Sequence, residues 1–174
     1  MPRLFTAIPL PPVVTQALAD LQPLPASGVR PVAPAQMHVT LHFIGEAEIE
    51  ETAELLQVVP MQRFELAVSG VGQFGPGEVL WAGVQPHALL RQLHADIGQA
   101  LVAGGIAVEK RPYRPHITLA RCKPHAPPDL VPDFLDRHVA LRLPPVTATR
   151  FALYSSTPSA SGPLYRVERW FPAG

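Results

Sequence analysis

His38-Val39-Thr40-Leu41 recurs further along the sequence as His116-Ile117-Thr118-Leu119. Both copies are rich in β-branched residues, which favours strands over helices. Side chains alternate between the two faces of a strand, so the histidine and threonine of each copy share one face and the apolar residues share the other. If the two strands lie side by side, two imidazoles and two hydroxyls line one cleft.

The composition is that of a folded protein with many rigid turns. The chain has 174 residues, of which 47% are apolar, and this is enough to bury a core. Its 22 prolines are scattered rather than repeated, which predicts turns and no low-complexity segment. Fourteen basic and 14 acidic residues give a net charge of zero, which disfavours extensive coating of long RNA or DNA.

A local basic cluster nevertheless surrounds the second copy of the motif. It contains five basic residues, namely Lys110, Arg111, Arg114, Arg121 and Lys123. Such a cluster suits a small anion such as a phosphate better than a long polymer. Arg121 and Arg3 are the candidate phosphate-binding residues. Strict alternation from His116 puts Arg121 on the opposite face, although a strand end can twist back, so its orientation is left open.

The order of the segments predicts an α+β fold with mostly antiparallel sheets, because several neighbouring strands are linked as hairpins. Strands are predicted at 3–8, 38–44, 62–74, 79–84, 139–143, 146–154 and 164–170, and a further strand contains the second motif at 116–119. Helices are predicted at 12–21, 46–58, 86–104 and within 124–137, and residues 22–35 are expected to form a loop. The two matching halves predict one domain over residues 1–174. It would consist of two lobes related by a pseudo-twofold axis, each with flanking helices and one His-x-Thr-Leu motif, and the active site would lie in the cleft between them.

The single cysteine, Cys122, cannot form an intramolecular disulfide, which fits a reducing cytoplasm. No apolar run approaches the roughly 20 residues that span a bilayer. The apolar core of the N-terminus is too short for a signal peptide. We therefore expect a cytoplasmic, monomeric protein that does not bind membranes.

Two histidines without a metal can cleave a phosphodiester. A neutral imidazole takes a proton from water, and a protonated one donates to the leaving oxygen. With ordinary pKa values near 6.5, both forms are available around neutral pH. Threonine hydroxyls can bond the non-bridging phosphate oxygens, where charge builds in the transition state. The candidate catalytic residues are therefore His38, His116, Thr40 and Thr118.

Other histidines and the cysteine point to weaker alternatives. On a strand His38 and His42 lie about 13 Å apart and cannot chelate one zinc ion. Alternation puts His42 on the face of His38, where we expect a solvated residue. Cys122 is expected to be a bystander thiol. The remaining histidines are expected at the surface, at positions His87, His94, His125 and His138, and six aromatic residues are expected in the core rather than stacked on bases, namely Phe5, Trp81, Tyr113, Phe151, Tyr154 and Tyr165.

The two motifs and their flanks resemble the 2H phosphoesterase superfamily, and within it the RNA 2′,3′-cyclic phosphodiesterases, also called 2′-5′ RNA ligase-like proteins. The resembling segments are Arg3-Leu4-Phe5 with Ala7-Ile8, residues 38–45, Val79-Leu80-Trp81, residues 114–121, and residues 153–156 with Tyr165. The resemblance implies a bilobal α+β fold with both motifs in a central cleft, and neither metal nor cofactor. It implies that His38 is the general acid, that His116 is the general base, and that Thr40 and Thr118 hold the phosphate.

The implied reaction opens a terminal 2′,3′-cyclic phosphate to a 2′-phosphomonoester, and reversible 2′-5′ RNA ligation would use the same chemistry with an RNA hydroxyl replacing water. The expected partners are RNA ends or nucleotides that carry such a phosphate. The loop 156–162 lacks the basic residue that many relatives carry there, which favours short substrates. Three alternatives stay open: action on another cyclic nucleotide or an ADP-ribose cyclic phosphate, non-catalytic binding of RNA ends, and a metal phosphatase.

Overall fold

The computed structural model describes residues 1–173, which form four α-helices and ten strands. The strands are β1 (Arg3–Pro9), β2 (Val29–Pro31), β3 (His38–Glu46), β4 (Phe64–Leu66), β5 (Val68–Phe74), β6 (Val79–Val84), β7 (His116–Cys122), β8 (Val146–Ala148), β9 (Phe151–Thr157) and β10 (Leu164–Phe171). The helices are α1 (Pro12–Ala19), α2 (Ile49–Leu56), α3 (Ala88–Ala103) and α4 (Leu130–His138).

The strands build two four-stranded sheets and one two-stranded sheet. The first sheet has the order β10-β9-β1-β3, the second has the order β2-β7-β6-β5, and β4 pairs with β8. The pairings are antiparallel. Each motif strand therefore lies in a different sheet, and β3 adjoins β7. The predicted α+β class is confirmed. The division into two lobes with a pseudo-twofold axis stays a prediction.

The helix predicted at 86–104 is confirmed as α3. Its apolar residues recur three and four positions apart, and Leu90, Leu93, Ile97 and Leu101 are at most 3% exposed. The helix begins after His87, whose ring accepts a hydrogen bond from the backbone N–H of Leu89. This helix packs against α2 and β3, so its buried side supports the first motif strand from behind.

Several predicted strand boundaries are wrong because alternation does not reveal a change of partner. The segment 62–74 forms two strands, and its break at Ala67 separates β4 from β5 in another sheet. The segment 146–154 likewise divides into β8 and β9. Residues 139–143 do not form a regular strand. They bond to β5 at isolated positions, such as the hydrogen bond from Gly70 N–H to the carbonyl oxygen of Leu141. Part of the loop expected at 22–35 is β2, which extends the second sheet beside β7.

Candidate active site

A β-bulge at Leu41 interrupts the alternation of side chains in β3. In the β1–β3 ladder Thr40 pairs with Ala7. The next pair joins His42 to Thr6, which leaves Leu41 as the extra residue. A bulge of this kind re-aims the side chains that follow it. At His42 and Phe43, β3 therefore presents the opposite set of residues to each face, until a second register shift at Ile44.

The same irregularity occurs at the equivalent leucine of the second motif. Thr118 pairs with Trp81 of β6, and the next pair joins Ala120 to Leu80. Leu119 is therefore the extra residue of a bulge in β7. Leu119 and Ala120 are both fully buried, as expected where side chains stop alternating between the two faces of the strand. The two motifs thus share a backbone feature as well as a sequence.

The bulge in β7 brings Arg121 to the face of His116. Strict alternation had placed this arginine on the opposite face, and the extra residue reverses that placement. The positive charge of Arg121 lowers the pKa of His116 and that of His38, so the guanidinium lies close to both imidazoles. The charge of His116 also lowers the pKa of His38. The structure therefore brings these three side chains together.

The bulge in β3 removes His42 from the face of His38, and the expectation of a solvated histidine is wrong. His42 is 6% exposed, and its Nε2 lies 2.7 Å from the carbonyl oxygen of His94 on α3. Phe43 lies on the face of His38 instead. Its ring is 58% exposed and lies 6.2 Å from that of Phe5, centroid to centroid.

The two motif histidines are held in the same way. Nδ1 of His38 lies 2.7 Å from the carbonyl oxygen of Gln36, and Nδ1 of His116 lies 2.7 Å from that of Arg114. A carbonyl oxygen only accepts hydrogen bonds, so Nδ1 must carry the hydrogen in both rings. Nε2 is then the nitrogen that can take or release a proton in each histidine.

Aromatic rings pack against both imidazoles. The ring centroid of His38 lies 5.0 Å from Phe5, 5.4 Å from Tyr165 and 6.1 Å from Tyr154. His116 lies 4.8 Å from Phe74, which meets it edge to face. Sequence reasoning placed Phe5, Tyr154 and Tyr165 in the core but did not connect them to His38, because the contacts join residues far apart in the chain.

Burial is the main cause of the altered histidine pKa values. Desolvation lowers the pKa of His38 to about 4, although its hydrogen bond to Gln36 opposes the shift. Burial also lowers the pKa of His116, while its bond to the carbonyl of Arg114 raises it. Both rings are therefore neutral at pH 7 in the free protein. A phosphate anion beside them would raise both pKa values, because it favours the charged imidazolium.

Arg3 lies farther out than Arg121. The regular β1–β9 ladder puts Arg3 on the same face as Phe5, two residues away, where it is exposed at the start of β1. Within residues 1–173, its charge is not among the groups that shift the pKa of either motif histidine. Thr40 and Thr118 are partly exposed. Each lies two residues after its motif histidine, and the residue between the two is buried.

A column of three stacked rings connects the first motif to the segment before the second. His42 stacks on His94 at 4.0 Å, and His94 stacks on Tyr113 at 3.9 Å. The Tyr113 hydroxyl donates a 2.8 Å hydrogen bond to the carbonyl oxygen of Thr40. The surface position expected for His94 is wrong, since the ring is sandwiched and burial lowers its pKa to about 4. Spacing alone offers no signal for this column.

We expect Tyr113→Phe to lower the free energy of unfolding by about 1–3 kcal/mol, because it leaves the carbonyl of Thr40 without its donor. Urea unfolding monitored by circular dichroism measures the loss. Tyr165→Phe is the matched control, since Tyr165 contacts the ring of His38 without a hydrogen bond to a motif strand within the described residues. Equal losses in both variants would contradict a specific role for the Tyr113 hydroxyl.

The histidines also predict that the protein becomes less stable as the pH falls. The pKa values of His38, His42, His94 and His116 are lowered on folding. Between about pH 6.5 and pH 4 the unfolded chain then binds more protons than the folded one, so the free energy of unfolding falls with the pH in this window. His38 accounts for at most about 3 kcal/mol of the change. Urea unfolding at pH 7.5, 6 and 5 tests this, and a flat profile would refute it.

Two further findings concern metals and membranes. Among residues 1–173, no three His, Cys, Asp or Glu side chains come together in a group that could hold a metal ion. The helices of this same part of the chain are too short or too polar to cross a bilayer.

An antiparallel α+β fold with a His-x-Thr strand in each main sheet defines the class of proteins that the sequence resembles. The family model of the 2′-5′ RNA ligase superfamily matches residues 10–158, and the chain belongs to this superfamily. A curated Escherichia coli K12 relative, named RNA 2′,3′-cyclic phosphodiesterase, is 30% identical over 181 residues and covers 97% of this chain and 95% of the relative.

Two other comparisons agree with this membership. A Geobacillus stearothermophilus relative of the same name is 32% identical over 129 residues, which is 67% of this chain but 41% of that longer relative. The crystal structure of E. coli LigT complexed with 3′-AMP matches with a TM-score of 0.76 and 28% identity, and the match covers 97% of this chain and 96% of LigT. The resemblance inferred from the motifs is confirmed.

Proposed function

We propose that the protein hydrolyses RNA 2′,3′-cyclic phosphate ends to 2′-phosphomonoesters with a pair of histidines as acid and base. The observation that carries this proposal is the shared geometry of His38 and His116. Each donates Nδ1–H to a backbone carbonyl two residues earlier, and both lie within the electrostatic reach of Arg121. The names of relatives that match nearly the whole chain support the same substrate class.

In the proposed mechanism, the cyclic phosphate lies between the two motif strands. Arg121 offsets its negative charge, and the hydroxyls of Thr40 and Thr118 donate to its non-bridging oxygens. Nε2 of His116 accepts a proton from water, and the water oxygen forms a bond to phosphorus. The P–O3′ bond breaks, and Nε2–H of His38 gives its proton to the departing O3′. The products are a 2′-phosphomonoester and a free 3′-hydroxyl.

This order of proton transfers requires that His38 is protonated when substrate is bound. Its pKa of about 4 in the free protein makes it neutral at pH 7, so the phosphate anion must supply the charge that stabilises the imidazolium. After each turnover His116 carries the extra proton and His38 has lost one, so proton transfer from His116 to His38 through water restores the site. If an RNA 5′-hydroxyl replaces water as the nucleophile, the same groups form a P–O5′ bond, the P–O3′ bond breaks, and the product is a 2′-5′ linkage.

The test uses a short RNA that ends in a 2′,3′-cyclic phosphate, incubated with the protein in excess EDTA. Phosphorus NMR assigns the product, and we expect a 2′-phosphate and no dependence on the chelator. Loss of turnover in EDTA would replace this mechanism with a metal-dependent one. Binding of the RNA without ring opening would favour a non-catalytic module or a different cyclic phosphate. A cytoplasmic location and a monomeric state stay predictions, and gel filtration tests the second.

A further inference from the structure

Arg30 and Arg121 face each other across the β2–β7 ladder. They are direct partners in the register, and both are exposed. Directly opposed residues on neighbouring antiparallel strands project from the same face, with Cβ atoms about 5 Å apart. The flanking residue Val29 is buried, so alternation in β2 turns Arg30 away from the core. Arg30 therefore shares the face on which Arg121 approaches the two motif histidines.

In the described part of the chain, no carboxylate forms a salt bridge with either member of this pair. Within residues 1–173, the ion pairs of arginine are made by Arg111, Arg166 and Arg169 instead. Two like charges placed directly opposite each other weaken a sheet. An anion bound between or beside them removes that penalty. Residues 1–173 thus contain a pair of guanidiniums without a salt-bridge partner next to the proposed reaction centre.

The Arg30 side chain also lies beside the loop that connects β9 to β10. A Cβ atom at Gly162 of this loop would lie 3.5 Å from Nη1 of Arg30. The side chain of Gln36 fixes the neighbouring position, since its Nε2 donates a 2.6 Å hydrogen bond to the carbonyl oxygen of Pro163. The absence of a basic residue from this loop is the reason why the sequence favours short substrates. The structure shows that β2 delivers a guanidinium to the loop from another sheet.

The two arginines differ in their distance from the reacting groups. The charge of Arg121 lowers the pKa of both motif histidines, whereas Arg30 is not among the described groups that shift either one. Arg121 therefore suits the phosphate that reacts. Arg30 lies one β-strand farther out, on β2, a position that suits a second phosphate of the same RNA.

We propose that Arg30 forms a subsite for the phosphodiester on the 5′ side of the terminal nucleotide. This inference rests on the proposed function and deepens it. The preferred substrate is then an RNA strand of at least two nucleotides rather than a cyclic mononucleotide. A guanidinium binds phosphate oxygens in a bidentate manner and positions the strand without reading its bases.

The experiment compares three substrates that end in the same 2′,3′-cyclic phosphate. They are the adenosine mononucleotide, the dinucleotide ApA, and ApA with an uncharged methylphosphonate linkage. For each protein we measure the ratio of kcat/KM for the dinucleotide to kcat/KM for the mononucleotide. We expect Arg30→Gln to lower this ratio about tenfold for the charged dinucleotide, which corresponds to one charge-assisted hydrogen bond. With the methylphosphonate dinucleotide, the ratio measured for Arg30→Gln should stay within twofold of the ratio measured for wild type on the same substrate.

Arg30→Lys keeps the charge and should restore part of the ratio, which makes the test independent of any folding defect in the glutamine variant. Arg63→Gln is the matched control, because Arg63 is exposed just before β4, outside both motif sheets. A ratio that Arg30→Gln leaves unchanged, or an equal loss with the uncharged linkage, would overturn the subsite while the proposed function stands. If wild type opens none of the three cyclic phosphates, the proposed function fails as well.

Discussion

Replacing His38 or His116 with alanine is expected to lower kcat for opening a 2′,3′-cyclic phosphate by about 10²–10⁴-fold in each variant. Each imidazole presents only Nε2 for proton transfer, because Nδ1 donates to a backbone carbonyl. No other side chain of residues 1–173 is held in that way beside Arg121. Initial rates on a cyclic-phosphate dinucleotide measure the loss. His125→Ala is the control, since His125 is exposed in the segment after β7, and we expect it to retain activity.

The two variants should differ on a substrate in which sulfur replaces O3′. A thiol has a pKa near 8.5 and leaves as a thiolate without a proton donor. We therefore expect His38→Ala to regain most of its activity on this substrate, and His116→Ala to remain inactive. Rescue of His116→Ala instead would exchange the two roles. That outcome would agree with the lowered pKa of about 4 for His38, which keeps this ring neutral in the free protein.

Local patterns were sufficient to predict the elements that hold the site. Both motif strands, the hairpin of β5 and β6, and helix α3 follow from periodicities within a few residues. The apolar stripe of α3 predicts the helix, Pro86 predicts its beginning, and Gly104 and Gly105 predict its end. Because the motifs recur in the same strand context, their juxtaposition also followed, and the structure brings His38, His116 and Arg121 together.

The bulges at Leu41 and Leu119 could not be predicted, since each depends on a neighbouring strand that skips one residue. Their consequences were therefore missed as well. Strict alternation assigned His42 to the face of His38 and Arg121 to the face opposite His116, and both positions are reversed. A period of two is informative only while the ladder is regular.

Contacts between distant segments could not be predicted from the sequence either. Tyr113 bonds to Thr40 across 73 positions of the chain, and β2 reaches the second sheet although it precedes the first motif. The basic residue missing from the β9–β10 loop shows the same limitation. Counting charges along that loop predicts a neutral surface, whereas the fold places Arg30 against it.

Thr40→Val and Thr118→Val are expected to lower kcat by about 10²–10³-fold each, because each removes a donor to the oxygens that gain charge in the transition state. Valine keeps the β-branched shape that suits a strand, so the fold should persist. Thr40→Ser and Thr118→Ser retain the hydroxyl and should recover most of the rate. Thr147→Val on the exposed face of β8 is the control.

Whether the valine substitutions change kcat or KM distinguishes two possible roles of the threonines. A hydroxyl that bonds the phosphate equally in the bound substrate and in the transition state would raise KM and leave kcat unchanged. A donor that strengthens only as charge develops lowers kcat and kcat/KM together. We expect the second pattern, because both hydroxyls lie on the imidazole faces of their strands, where the non-bridging oxygens must sit during in-line attack. A pure KM effect in both valine variants would reduce Thr40 and Thr118 to substrate-binding residues and would leave Arg121 as the main stabiliser of the transition state.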